Sequence, residues 1–133
     1  MTQENKELLL KDLCGRLPYG VIIKSLNGDD YGPAIDICYP QKVVAYMGQK
    51  MDAYAEDFLP YLRPLSSMTE EEKKSYHIIK DRLCEACIHG TIKDIAYWTN
   101  SLDLWFYKYH FDNANLIEKG LAIEVTEENN PYN

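Results

Sequence analysis

FLPYLRPLSSMTEEEKK, residues 58–74, is the stretch on which the fold turns. Pro60 and Pro64 each fix φ and push the residue before them toward extended backbone, so residues 59–65 are expected to be neither helix nor central strand. Thr69 then opens a capping box. Its hydroxyl is placed to accept from Glu72 N–H, and the Glu72 carboxylate to accept from Thr69 N–H. Glu70, Glu71 and Glu72 add negative charge at the positive end of the helix dipole. A helix therefore starts near residue 70, and its periodicity carries it to about residue 88. Tyr76, Ile79, Leu83, Ala86 and Cys87 form the apolar stripe, and His89-Gly90 ends it.

Upstream of this stretch the pattern is mostly β. Residues 19–24 are apolar and β-branched, and Asn27-Gly28 after them is a hairpin turn signal. Residues 31–39 return as a second strand, with Ile35 and Ile37 on one face, Asp36 and Cys38 on the other, and Pro33 marking an edge or bulge. Gln41-Lys42 turns the chain into a third strand over residues 43–47, stopped by Gly48. Residues 51–57 fit either a helical turn or an irregular edge. Ahead of the strands, residues 4–16 read as an amphipathic helix. Leu10, Leu13, Cys14 and Leu17 share its face, Leu9 lies at the flank, and Gly15 and Pro18 end it.

Downstream, residues 92–98 alternate and suggest a further strand. A short aromatic helix is expected from Asn100 or Ser101, turning Leu102, Trp105, Phe106 and Tyr109 inward. Residues 121–125 read as a last strand and residues 126–133 as a frayed tail. The outline is an α+β fold in a single domain over residues 1–133. A small antiparallel sheet packs with an N-terminal helix, one longer helix and one short aromatic helix.

Composition narrows the function. At 133 residues the chain is long enough for one core without staples. A net charge of −7, with basic residues scattered singly or in pairs, argues against direct nucleic-acid binding. The first residues lack a signal-peptide pattern, and no apolar run approaches a membrane span, so a cytoplasmic protein without membrane contact is expected. Four cysteines in that compartment read as free thiols.

The candidate chemistry is sparse. Cys84 and Cys87 have the spacing of half a zinc site, but lie near a helix C-terminus, the wrong end to lower a thiol pKa. They read as structural, and no metal or cofactor is implied. His110 and Asp112 form the one candidate acid/base pair, with helix-end and turn-forming roles as the structural alternative. Arg63, beside Tyr61 in the proline-bracketed run, is read as an internal salt-bridge partner; exposed, the pair would be a binding element. The aromatic helix carries more apolar surface than one stripe can bury. Leu104 and Tyr107 fall off the inward face and are the expected binding patch.

Four stretches resemble a known group: LCGRLPYGVI at 13–22, YLRPLSSMTEEE at 61–72, His110-Phe111-Asp112, and LIEKGLAIE at 116–124. The chain is similar over most of its length to small uncharacterised proteins of gut bacteria, often in prophage or mobile-element neighbourhoods. The resemblance implies a cytoplasmic α+β domain and no particular activity. Asn113 and Ala114 stand where that group has a Tyr-Arg-type pair. The function expected is a non-enzymatic protein-interaction or accessory role, with an unidentified protein partner or self-association. The alternatives are a small hydrolase or nucleic-acid-processing enzyme centred on His110 and Asp112, and an acidic DNA mimic.

Overall fold

The computed structural model describes residues 1–38 and 42–132. The chain runs α1 (Gln3–Arg16), β1 (Ile22–Ser25), β2 (Tyr31–Cys38), β3 (Lys42–Tyr46), β4 (Lys50–Tyr54), β5 (Phe58–Leu62), α2 (Glu70–His89), α3 (Ile92–Lys108) and β6 (Ile123–Glu124). The strands form one sheet in the order β4-β3-β2-β1-β5-β6, antiparallel except for the short β5–β6 pair. The architecture is α+β, as the sequence indicates. No helix among the described residues is long and apolar enough to cross a membrane. The expected turn at Gln41-Lys42 lies partly outside the described residues.

The meander β1–β4 follows from the turn signals, but the phase of β2 does not. A register shift between Ala34 and Asp36 moves the strand by one residue. Gly32 and Ala34 are buried ahead of it, Ile37 packs on the core beyond it, and Ile35 is left exposed rather than sharing the face of Ile37. Gly32 is required here because a Cβ would overlap the carbonyl oxygen of Tyr46 on β3. Residues 51–57, ambiguous in sequence, divide between β4 and a 3-10 turn at Ala55–Asp57.

Residues 58–62 correct the expectation for the proline-bracketed run. They form β5, an inner strand between β1 and β6. Pro60 is tolerated because of which side it faces. Leu26 N–H donates to Asp57 O at 2.9 Å, and antiparallel alternation then turns the Pro60 nitrogen away from β1, where it lies opposite Ile23. On its other side β6 pairs only with Tyr61 and Leu62, so no ladder bond is lost.

The helices differ from the sequence outline in two ways. α1 buries Leu9, Asp12, Leu13 and Arg16, so its inner face is rotated and Cys14 is exposed. Residues 92–98 are helix, not strand, and α3 begins at Ile92 rather than at the expected Asn100 or Ser101. The cause is a second capping box: Asp94 N–H donates to Thr91 Oγ1 at 3.3 Å and Thr91 N–H donates to Asp94 Oδ2 at 3.0 Å. With the start moved, Ile95, Trp98, Leu102 and Trp105 fall at helical spacing.

Three apolar clusters hold the parts together. Leu9 and Leu13 of α1 pack on Val21, Ile23, Val43, Ala45 and Phe58 across the sheet. Leu62 meets Leu116, Leu121 and Ala122 beside β6. Trp105, Phe106 and Phe111 gather Tyr76, Ile79, Leu102 and Tyr109, which joins α2 to the end of α3 as the inward set predicts.

Candidate functional site

The residues singled out in the sequence converge where α3 ends against β5. α3 closes with the paired bonds of a Schellman motif: Phe111 N–H donates to Phe106 O at 2.9 Å and His110 N–H to Tyr107 O at 3.2 Å. His110 takes the left-handed position, φ 63°, usually given to glycine. The chain then crosses the end of β5, with Arg63 N–H donating to His110 O at 2.7 Å and Asp112 N–H to Arg63 O at 2.9 Å.

This path sets the surroundings of the candidate catalytic pair. Asp112 is buried, and its two carboxylate oxygens accept from Leu116 N–H at 2.8 Å and Ile117 N–H at 2.9 Å. No hydrogen bond joins it to His110 among the described residues. The His110 ring instead stacks on Tyr132, centroids 3.7 Å apart and planes at 10°. Burial first, then the positive charges of Arg16 and Arg63, lower the imidazole pKa to about 4, so the ring is neutral near pH 7.

Two arginines flank the crossing. Arg63 grips Glu72 through both terminal nitrogens, at 2.8 and 2.7 Å, and lies 4.2 Å from the Phe111 ring centroid. Its hydrogen bond and charge hold the Glu72 carboxyl below the ordinary range. The internal salt bridge read from the sequence is present, and it ties β5 to the start of α2. Tyr61 faces elsewhere, edge-on to Tyr31 with centroids 6.2 Å apart.

Arg16, which sequence reasoning missed, is the more deeply placed of the two. It is fully buried; Nε donates to Asp12 Oδ2 at 2.7 Å, and Nη2 to Phe111 O at 2.7 Å and Asn113 Oδ1 at 2.9 Å. Burial raises the Asp12 pKa against the opposing pull of Arg16. The only local sign of this pair is the i, i+4 spacing of Asp12 and Arg16 on α1, an ordinary surface pattern.

The expected binding patch divides. Tyr107 is half-buried: the Arg16 guanidinium lies 5.0 Å from its ring centroid, and a Cβ on Gly15 would fall 2.6 Å from its ring. It packs on α1. Leu104 is exposed. Elsewhere on the α2–α3 hairpin Ile78, Ile88, Ile92 and Tyr97 are 63%, 73%, 85% and 64% exposed. Ala86 alone is buried on α2, and Cys87 is exposed rather than in the stripe, because the face turned to α3 runs through Tyr76, Ile79, Leu83 and Ala86. Among the described residues no three His, Cys, Asp or Glu side chains gather as a metal site.

Compared with protein-family models, curated proteins and solved structures, the chain finds no match.

Proposed function

We propose that this chain is a non-enzymatic interaction protein whose α2–α3 hairpin is its contact arm. One observation carries the reading: four large apolar side chains, Ile78, Ile88, Ile92 and Tyr97, stand in solvent on a helix pair whose packing is confined to its inner faces. Leaving a large aliphatic chain exposed forgoes roughly 1.5–3 kcal/mol of burial, which a partner surface recovers. Helical arms of this kind seat in apolar grooves or against other helices.

The polar groups near the α3 end support the same reading from the other side. His110, Asp112, Arg16 and Arg63 direct their contacts to the backbone, to the side chains of Asp12, Glu72 and Asn113 or to aromatic rings, which is the work of a scaffold. The exposed face of α2 mixes Lys74, Lys80 and Arg82 with Glu71, Asp81 and Glu85. It does not offer the continuous acidic face of a DNA mimic.

Site-specific photo-crosslinking tests the arm. A benzophenone side chain at position 97 should give a defined adduct in the native cytoplasm, absent when the probe sits at Glu4 of α1. Adding Ile88→Asp and Ile92→Asp should abolish it at unchanged melting temperature. Equal adducts from positions 97 and 4, or an adduct indifferent to the two aspartates, would discard the arm.

A further inference from the structure

The segment after β6, residues 126–132, was expected from its composition to fray. It folds back across the sheet and ends in a plug. Tyr132 inserts its hydroxyl between β1 and β5: Ile22 N–H donates to Tyr132 Oη at 3.1 Å, and the Tyr132 hydroxyl donates to Tyr61 O at 2.7 Å. The β1–β5 ladder stops one step short of this point, at Ile23 and Pro60. The phenol thus stands where the next strand-to-strand bond would form.

We propose that the cleft between β1 and β5 is a phenol-binding site, occupied in this chain by its own Tyr132. The cleft constrains its occupant. Ile22 presents a donor and Tyr61 an acceptor to one point, so the group between them must accept and donate through a single oxygen. A hydroxyl does so; an amide, amine or carboxylate does not. Above that point the His110 ring lies parallel to the occupant's at 3.7 Å, and neutral as it is, it accepts a flat aromatic face. Hydroxyl and flat ring together define a phenol.

The occupant is carried on a segment with little else holding it. Thr126 N–H and its hydroxyl bond to Asn129 Oδ1 at 2.6 and 2.8 Å, Asn129 Nδ2 donates to Glu124 O at 3.0 Å, and Tyr132 N–H donates to Asn130 Oδ1 at 3.0 Å. Of these, only the bond from Asn129 to Glu124 ties the segment to a strand, the edge strand β6, and residues 126–129 are exposed. The described hydrogen bonds that dock it onto β1 and β5 come from one side chain, Tyr132. The site is therefore one that a second phenol can occupy when Tyr132 is withdrawn, either a small free phenol or the tyrosine of another polypeptide. It is separate from the α2–α3 arm and does not depend on it.

The test uses the full chain with Tyr132→Gly, which removes the ring and keeps the segment. p-Cresol should raise the melting temperature saturably and slow hydrogen exchange at the Ile22 amide. Toluene, matched in shape but without the hydroxyl, should not slow that amide, and wild type should respond to neither. A peptide of sequence TEENNPY in place of p-cresol separates the two sources: tighter binding by the peptide assigns the site to tyrosine segments, weaker binding to free phenols. Should Tyr132→Gly not fold alone, folding with p-cresol but not toluene supports the site, and failure with both overturns it. Tyr132→Phe gives an independent reading, since the ring stays and the hydroxyl goes. Ile22 exchange should accelerate by about tenfold, the scale of one lost hydrogen bond. Unchanged Ile22 exchange in Tyr132→Phe, or equal action by toluene and p-cresol, would overturn the proposal.

Discussion

His110 combines a left-handed backbone, a ring stack and a pKa near 4 in one residue, and its titration is measurable. The unfolded imidazole titrates near 6.5, above the folded value, so protons bind the unfolded chain more readily throughout that interval. The stability it contributes is present above pH 6.5 and is lost as the pH falls from 6.5 toward 4. Glu72, held below its ordinary value, loses its contribution only at lower pH, and Asp12, raised by burial, acts in the opposite sense. Denaturation curves across pH 7 to 4.5 should therefore show a decline that His110→Asn flattens, asparagine being a residue that also accepts the left-handed position. An equal decline in both proteins would show that His110 is not its source. Arg16 makes a second case at this scale. Arg16→Met leaves Asp12 buried without its partner and should cost about 3–5 kcal/mol, and adding Asp12→Leu should restore much of the loss. Chemical denaturation of the three proteins distinguishes a buried pair from an ordinary helix-surface pair, which would cost under about 1 kcal/mol.

Each of the two longest helices is started by a Thr-x-x-acid box, at Thr69 with Glu72 and at Thr91 with Asp94. The second lies one residue after Gly90, the C-cap of α2, and turns the chain directly into α3. Thr69→Ala and Thr91→Ala should each cost about 1 kcal/mol by thermal or chemical denaturation, with Ser near neutral at both. The consequences differ beyond that. Glu72 is also held by Arg63, so loosening the first box disturbs the link from β5 to α2. Thr91 is far from that link, and its loss should fray the hairpin turn locally, seen as faster amide exchange over residues 92–95. Fast exchange spread over the sheet instead would contradict a local role.

At the scale of the molecule, the sheet and α1 form one body; the α2–α3 hairpin is held together by the Trp105, Phe106 and Phe111 cluster and tied to that body by Arg63, through Glu72 and the Phe111 bridge, and by Tyr107 packed on α1. The two ends of α3 therefore differ in what they do. Trp105→Ala opens that cluster and should destabilise by about 3–5 kcal/mol. Tyr97→Ala, on the exposed end, should change stability by less than about 0.5 kcal/mol while weakening association. Unfolding curves run beside sedimentation separate the two. Comparable destabilisation by both substitutions would make the exposed end part of the fold rather than a contact surface.

Local signals in the chain determined a good deal: the α+β class, the β1–β2 hairpin, the start and end of α2, and the inward set of α3. Each depends on residues a few positions apart, where dihedral preference, capping and side-chain periodicity act directly. The start of α3 was also legible, in Thr91-x-x-Asp94, but the alternation of residues 92–98 suits a strand as well and drew the reading away. Only the tertiary structure decided the inner position of β5, which rests on which neighbour Pro60 turns its nitrogen toward. It alone also brought Arg16 to Phe111, 95 residues away, and Tyr132 to Ile22 and Tyr61, 110 and 71 residues away. In each case the partner is a backbone group, which every residue carries and no sequence pattern marks. Where such a group goes unpaired depends on the whole packing, and so does the side chain that satisfies it.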